Sequence, residues 1–313
     1  MEDYVIEGFR VERRDDGAVG VYGPSGVEEL TVDPERWCRP EVQLAELDVA
    51  GMDVALLSAA CYPSWLSLRA ARLLNDAAAD LQRAHPTRFV AMAHVPPFGE
   101  NGGLAELERA ARDLGLRGVC ITTNFRGHYP GDEEYLPFLR KAAELDMPVF
   151  VHAAGAPVEH HSLLEHRLYR SLGRSFDHCL VTVRLLYSGL LEDLPGLRLV
   201  MPHLGGGFYA QARRFLDVPK NPSGPRPDIP YRGLLDQLLF DTAPSFAWSP
   251  LEIGWAIAGL GPTHVALGSD YPVRNDPKVL VDAVAHVRGL AVDAADRDRV
   301  AGRNALAFYG LAG

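Results

Sequence analysis

Three features that would point to a membrane or secreted protein are missing from this chain of 313 residues. No run of about 18 apolar residues occurs, so no transmembrane helix and no membrane partner are predicted. The N-terminal stretch MEDYVIEGFRVERR is acidic and mixed, unlike a secretory signal. The four cysteines lie far apart without a C-x-x-C pair, which predicts free thiols and a cytoplasmic location.

An excess of positive charge is missing as well. The chain carries 31 basic and 41 acidic residues, a formal net charge of −10, whereas nucleic-acid-binding domains usually present a basic face. We therefore expect no nucleic acid partner. Neither a G-x-S-x-G elbow nor a P-loop occurs, and no G-x-G-x-x-G follows an early strand. A serine nucleophile elbow and these nucleotide-binding loops are therefore not predicted.

The chain does contain a regular alternation of short apolar segments and longer amphipathic segments. The apolar segments are continuous, which is typical of parallel strands buried on both faces. Predicted strands lie at residues 53–58, 89–94, 118–124, 148–152, 197–203, 238–242 and 264–270. This repetition indicates an α/β fold, a (β/α)8 TIM-like barrel that is one strand short. An open doubly wound sheet is the alternative.

Two segments interrupt this alternation. Residues 11–32 are predicted to form a β-hairpin excursion, with its turn at the DDG sequence. Residues 217–233 hold five prolines and are predicted to form a Pro-rich surface loop. We expect residues 1–313 to form a single barrel domain with an irregular or missing first strand.

Chemically useful side chains gather at the ends of the predicted strands. They are His94, Asn124, His152, His203, Asp241 and Asp270. In parallel barrels the C-terminal ends of the strands carry the working residues. Neutral imidazoles and a carboxylate suit a divalent metal such as Zn, Fe or Mn. Such a metal would polarise a carbonyl or carboxylate, while a nearby histidine moved a proton.

Each of these residues also has a structural alternative, as a packed histidine or as the cap of a strand or turn. His152, His203 and Asp270 have the stronger functional claim because of their position and their company. The predicted roles are metal ligation for His152, Asp270, His203 and His94, catalysis for His203 and Asp270, and substrate binding for Asn124 and Asp241. Three glycines after His203 would let backbone or substrate approach it closely.

Four stretches taken together resemble a known family. They are PVFVHAAG (148–155), YSGLLEDLPGLRLVMPHLGGGF (187–208), LLFDTA (238–243) and HVALGSDYP (264–272). In this order they are similar to the amidohydrolase-related branch of the amidohydrolase superfamily, and more closely to the aminocarboxymuconate semialdehyde decarboxylase-like proteins. The resemblance implies a metal-containing (β/α)8 barrel, a homodimer, and activity as a non-oxidative decarboxylase, hydrolase or hydratase.

The resemblance also implies roles for individual residues. His152 matches the metal-ligand histidine of the family's fifth strand, and Asp270 matches the carboxylate at the end of the eighth. His203 matches the sixth-strand histidine, a general acid or base in one-metal members and a ligand in two-metal relatives. The family's first strand also supplies an H-x-H pair of ligands, which this chain lacks. Either Met1 lies downstream of the ancestral start, or DYVIEGF provides a first strand without histidines.

The missing pair leaves three hypotheses. The leading one is a metal-dependent decarboxylase or hydrolase of a small, anionic carboxylate or acyl substrate. The first alternative is a non-haem iron oxygenase, because His152, His203 and Asp270 would form its two-histidine, one-carboxylate set. The second alternative is a metal-free binding member of the family. Arg167, Arg170 and Arg174 share one predicted helix face, where they could hold an anion or form surface salt bridges.

Overall fold

The computed structural model describes residues 5–24, 26, 28–59, 65–154, 161–163, 165–217, 230–244, 247–273, 276 and 278–311. The predicted N-terminal hairpin is present and has a third strand. Strands β1 (Arg10–Arg13), β2 (Val19–Tyr22) and β3 (Glu28–Val32) form an antiparallel sheet. The DDG turn closes where the amide of Ala18 donates to the Asp16 carboxylate. This small sheet packs its apolar face on the buried Trp65.

Parallel strands follow the chain in spatial order. They are β4 (Ala55–Leu57), β5 (Phe89–Ala91), β6 (Ala93–His94), β7 (Val119–Thr122), β8 (Val149–His152), β9 (Leu199–Met201), β10 (Leu238–Asp241) and β11 (Val265–Ala266). β4 pairs with β5, and β6 to β11 form one parallel sheet in chain order. One residue separates β5 from β6, so the two sheets continue into each other. Consecutive parallel neighbours of this kind are the strand arrangement of a (β/α)8 barrel.

The seam of this barrel lies between β11 and β4. Within the described ranges no strand pairs with either of them on that side. The described start of the chain forms an antiparallel bridge between Val5 and Leu66, outside the parallel strands. The sequence-based expectation of an irregular or missing first strand therefore agrees with the strand pairing.

Helices cover the strands, and several of them begin at a capping side chain. They are α1 (Pro34–Cys38), α2 (Pro40–Ala50), α3 (Leu68–Ala84), α4 (Gly103–Arg112), α5 (Leu136–Glu144), α6 (Leu172–Tyr187), α7 (Leu190–Asp193), α8 (Ala212–Leu216), α9 (Pro250–Leu260), α10 (Lys278–Arg288), α11 (Ala294–Asp298) and α12 (Asn304–Phe308). α9 begins with a capping box between Ser249 and Glu252. None of the described helices combines the length and the apolar character that a bilayer crossing requires.

Several predicted strands end earlier than the sequence suggests, among them β7, which stops at Thr122 rather than at residue 124. β9 stops at Met201 rather than at residue 203, and β11 stops at Ala266 rather than at residue 270. At β9 the reason is local, because His203 has a φ of 58°, in the left-handed region that a β-strand does not accommodate. Beyond β11 the amide of Leu267 donates to the carbonyl of Val300 at 2.8 Å, and Asp270 then has a φ of 59°. Both side chains therefore stand in turns beyond the strand ends.

The predicted Pro-rich loop at 217–233 lies mostly outside the described residues, which resume at Pro230. Its base is closed by an ion pair, in which Arg232 Nη2 lies 2.8 Å from Asp217 Oδ1.

Candidate metal centre

His152 ends strand β8 and is 7% exposed. The apolar residues of β8 pair with β7 and β9 on both sides, so the imidazole is fixed at the rim of the sheet. Its Nδ1 lies 3.2 Å from the carbonyl oxygen of Ala153. When Nδ1 donates to this carbonyl, the lone pair is on Nε2, which is the state of a histidine that binds a metal.

His203 stands in a left-handed turn that directly follows β9. Residues 203 to 206 all have φ between 50° and 64°. Asp241, at the end of β10, holds this turn, because its Oδ1 accepts hydrogen bonds from the amides of His203 (3.0 Å) and Ala243 (2.9 Å). Gly268 makes room for that carboxylate, since a Cβ there would lie 2.6 Å from Asp241 Cγ. Burial raises the pKa of Asp241 despite these hydrogen bonds.

Asp270 faces His152 from the loop after β11. Its Oδ1 lies 3.9 Å from His152 Nε2. Burial would raise the pKa of Asp270, but its interactions with His152, His203 and Arg174 lower it overall. Asp270 is therefore a carboxylate at neutral pH. Non-glycine residues with positive φ cost about 1–3 kcal/mol each and cluster at functional sites, and both His203 and Asp270 are of this kind.

The three side chains fit a divalent metal. One donor atom each from His152, His203 and Asp270 lies within 4.8 Å of the others. Ligand distances to zinc are about 2.0–2.2 Å, so two ligands of one ion lie no more than about 4.4 Å apart. The 3.9 Å between His152 and Asp270 is too long for a hydrogen bond and short enough to share an ion. His203 and Asp270 are half-buried, which leaves the group open to a small molecule.

A fourth site residue, His178, was not among the predicted ones. It lies on α6, is completely buried, and its ring centroid is 5.0 Å from that of His203 and 6.5 Å from that of His152. Burial, with the charges of the neighbouring histidines and Arg174, lowers its pKa well below the ordinary value. The sequence does hold a signal for it, because His178 shares the buried i, i+3, i+7 face of α6 with Val181 and Leu185.

The residue before His178 is the centre of a second buried group, which we call the Asp177 network. Asp177 Oδ2 accepts from Asn124 Nδ2 (2.9 Å) and from the Thr123 hydroxyl, and Oδ1 accepts from the Tyr129 hydroxyl (2.7 Å). Thr123 in turn accepts from the amide of Ala154, two residues beyond His152. The network ties α6 to the ends of β7 and β8.

The remaining predicted site residues are engaged by the protein. Asn124 belongs to the Asp177 network, and Asp241 holds the turn of His203. Contact of either residue with substrate stays a prediction. His94 Nε2 accepts from the amide of Ala59 at 2.7 Å, and burial lowers its pKa to about 3. The described structure does not bring His94 into the ligand group, so its role as a ligand also stays a prediction.

Comparison with known proteins finds relatives along most of the chain. The chain is 25% identical over 295 residues to 2-amino-3-carboxymuconate-6-semialdehyde decarboxylase of Dictyostelium discoideum, covering 90% of this chain and 79% of that protein. It is 26% identical to gamma-resorcylate decarboxylase of Rhodococcus jostii, covering 77% and 76% of the two chains.

A solved structure shows the same fold. This is 5-carboxyvanillate decarboxylase of Novosphingobium aromaticivorans, complexed with manganese and 4-hydroxy-3-methoxy-5-nitrobenzoic acid. It superposes with a TM-score of 0.76 at 23% identity, covering 88% of this chain and 82% of that one. The predicted barrel fold is thereby confirmed. The family model described as amidohydrolase matches residues 38–311. The chain therefore belongs to the amidohydrolase family.

Proposed function

We propose that this chain is a metal-dependent, non-oxidative decarboxylase of a small carboxylate substrate. The observation that carries the proposal is the meeting of His152, His203 and Asp270 at the open end of a parallel barrel, with their donor atoms within 4.8 Å. Relatives that match most of the chain are named decarboxylases, which favours decarboxylation over the hydrolysis that the same residues could support.

In the proposed site His152 and Asp270 hold the divalent metal. His152 offers Nε2 because its Nδ1 faces the carbonyl of Ala153, and Asp270 offers an ionised carboxylate. When bound, the metal polarises the substrate carboxylate and fixes its orientation. Zinc, iron and manganese all suit these donors, and the solved relative in complex with manganese makes that ion a first choice for assays.

His203 is the proposed proton-transfer residue. Decarboxylation breaks the bond between a carbon and its carboxylate, and the electron pair of that bond stays on the carbon. That carbon takes up one proton as carbon dioxide leaves, so the step needs a proton donor beside the metal. The half-buried imidazole of His203 lies within 4.8 Å of both ligand candidates, and Asp241 holds its backbone in place.

An anionic substrate fits the charge of the site. Arg174, at the start of α6, acts electrostatically on both Asp270 and His178. Arg174 thus supplies positive charge to the centre. Substrates of the named relatives, gamma-resorcylate and 5-carboxyvanillate, are the natural first probes.

The test is release of carbon dioxide from these two probes under anaerobic conditions. The manganese-loaded protein should release it and the chelator-treated protein should not, with activity returning on addition of manganese. His203→Asn should lose turnover while it keeps its metal. If chelation leaves turnover unchanged, the metal-dependent mechanism is wrong.

The oxygenase remains a second candidate because the three donors are also a two-histidine, one-carboxylate set. The same anaerobic assay separates the two functions, since an oxygenase stops without O₂ and a decarboxylase does not. A binding protein without metal would show no bound ion by elemental analysis of protein purified without added metal.

We also propose a homodimer in the cytoplasm. The outer face of α6 exposes Leu172, Phe176 and Leu180, four residues apart and 40–58% exposed, which is an apolar stripe that suits a second copy. Sedimentation should give a dimer, and Phe176→Ser should weaken it.

The cytoplasmic location is proposed from the cysteines. The described cysteines are free thiols, in keeping with a reducing compartment. The chain is also proposed to form a single domain.

A further inference from the structure

Two histidines at the candidate centre have buried ring nitrogens without a hydrogen-bond partner among the described residues. They are both nitrogens of His178 and Nδ1 of His203. A buried polar group without a partner costs about 1–3 kcal/mol, and such groups in native proteins are generally satisfied. The two rings are therefore expected to find partners in the working protein.

The nearest candidate partner for each ring is the other. Their centroids are 5.0 Å apart and their planes are inclined at 69°. Two imidazoles joined by an N–H···N bond of about 3 Å have centroids about 5 Å apart, so a rotation of the rings suffices to form it. His152 is less suitable, because its ring is 6.5 Å from that of His178 and its Nδ1 faces the carbonyl of Ala153.

The backbones around the pair are held on both sides. The Asp177 network fixes α6 one residue before His178, and Thr182 donates to the carbonyl of His178 at 2.7 Å. Opposite, Gly206 of the left-handed turn packs directly on α6. A Cβ at Gly206 would overlap the carbonyl oxygen of Ser175 and lie 2.9 Å from the Cβ of His178. The spacing of the two rings is thus fixed by close backbone packing.

We propose that His178 is a positioning residue that hydrogen-bonds to Nδ1 of His203 and fixes its tautomer. A neutral imidazole has one donor and one acceptor nitrogen, so this bond determines which nitrogen of His203 carries the proton. It leaves Nε2 of His203 for the centre. The proposal rests on the proposed role of His203. Partners of this kind typically change activity by about 10- to 100-fold when removed from a metal site.

The test compares His178→Phe, which keeps a ring but no nitrogen, with His178→Gln, which keeps a donor and an acceptor. Nitrogen-15 NMR of histidine-labelled, zinc-loaded protein reports the tautomer of His203, with its signals assigned through His203→Asn. Steady-state kinetics on the decarboxylation probes and zinc content are measured on the same samples. His178→Leu replaces the phenylalanine variant if that one does not fold.

In the wild type His203 should show one tautomer, and in His178→Phe a mixture of two. The turnover number should fall about 10- to 100-fold with KM changed less than about twofold and zinc retained, and His178→Gln should recover most of it. An unchanged tautomer in His178→Phe overturns the proposal. Loss of zinc with turnover also overturns it, because His178 would then hold the metal. Tautomer mixing in a protein with no decarboxylase activity sustains the positioning role and refutes the proposed function.

Discussion

Adjacent residues of α6 belong to two buried polar groups of opposite character. Asp177 receives hydrogen bonds from three side chains and fastens the helix to β7. His178 is equally buried, yet neither of its ring nitrogens has a hydrogen-bond partner in the described part of the chain. Its neighbours are two more histidines, and this histidine cluster consists of His152, His178 and His203.

This difference indicates that the Asp177 network stabilises the fold, whereas the histidine cluster belongs to the candidate site. A buried carboxylate with its donors in place has nothing left to bind, so the Asp177 network contributes stability and position. Buried imidazoles with spare nitrogens cost stability unless a metal, a substrate or each other completes them. Substitutions in the network should therefore reduce the free energy of unfolding, whereas substitutions in the cluster should reduce turnover, with loss of the metal expected where the ligand His152 is changed.

The largest effect is expected where the cluster is broken at its metal ligand. His152→Ala should lose the bound metal and about 10³-fold or more in turnover, because a Lewis acid contributes several kcal/mol to the transition state. Elemental analysis and the carbon dioxide assay measure both. His166→Ala, at an exposed histidine, is the control and should change neither. Full metal content in His152→Ala would contradict the assigned centre.

Substitution in the Asp177 network should mainly reduce stability. Asp177→Ala strands three donors in the interior and should lower the free energy of unfolding by about 3 kcal/mol or more. Urea unfolding measures the loss, with the exposed Asp113→Ala as the matched control near zero. A loss below about 1 kcal/mol would mean that the network does not fasten α6.

Alanine substitutions at two neighbouring glycines should distinguish the effect of close packing from the effect of backbone strain. Gly206 and Gly207 both have positive φ, but a Cβ meets α6 only at Gly206, and at Gly207 nothing lies within 4 Å. Gly207→Ala should cost about 1 kcal/mol, the left-handed strain alone. Gly206→Ala should cost about 1–3 kcal/mol more and reduce turnover, because it displaces α6 and His178. Equal losses in urea unfolding would refute the packing argument.

At neutral pH the smallest effect is expected at His94, a buried histidine whose Nε2 accepts a hydrogen bond from the amide of Ala59. Its pKa of about 3 lies below the unfolded value near 6.5, so protons bind the unfolded chain preferentially. The free energy of unfolding should therefore be unaffected by titration of His94 above pH 6.5, and should fall as the pH is lowered from 6.5 toward 3. The slope is about 1.4 kcal/mol per pH unit.

His94→Gln offers an amide oxygen to Ala59 and does not titrate. The variant should therefore lack the part of the pH dependence of the free energy of unfolding that is due to His94. Unfolding measurements between pH 4.5 and 7.5 would detect this difference. Identical slopes in the wild type and the variant would show that His94 is not held neutral in the folded protein.

Much of the barrel is predictable from the sequence, because strands that are buried on both faces have continuous apolar sequences. The same runs overextend β9 and β11, since Pro202 and Leu267 are as apolar as the strands before them. The left-handed backbone of His203 ends β9, and beyond β11 the amide of Leu267 donates to the carbonyl of Val300. Both features depend on contacts with distant segments, as the Asp241 carboxylate shows at His203.

The site is predictable to the extent that it lies at strand ends. His152, His203 and Asp270 carry that signal, and the structure brings them together. His178 does not lie at a strand end. Its position depends on the packing of α6 against the turn at Gly206, and a glycine in the sequence allows this close packing without predicting it. Asp241 shows the converse, since sequence cannot tell a carboxylate that faces substrate from one that accepts backbone amides.

The most direct test of the central claim is anomalous diffraction at the zinc edge from crystals of the zinc-loaded protein. A single strong peak is predicted about 2.0–2.2 Å from Nε2 of His152 and from a carboxylate oxygen of Asp270, with the ring of His203 beside it. Zinc bound to other residues, with none between His152 and Asp270, would contradict the account.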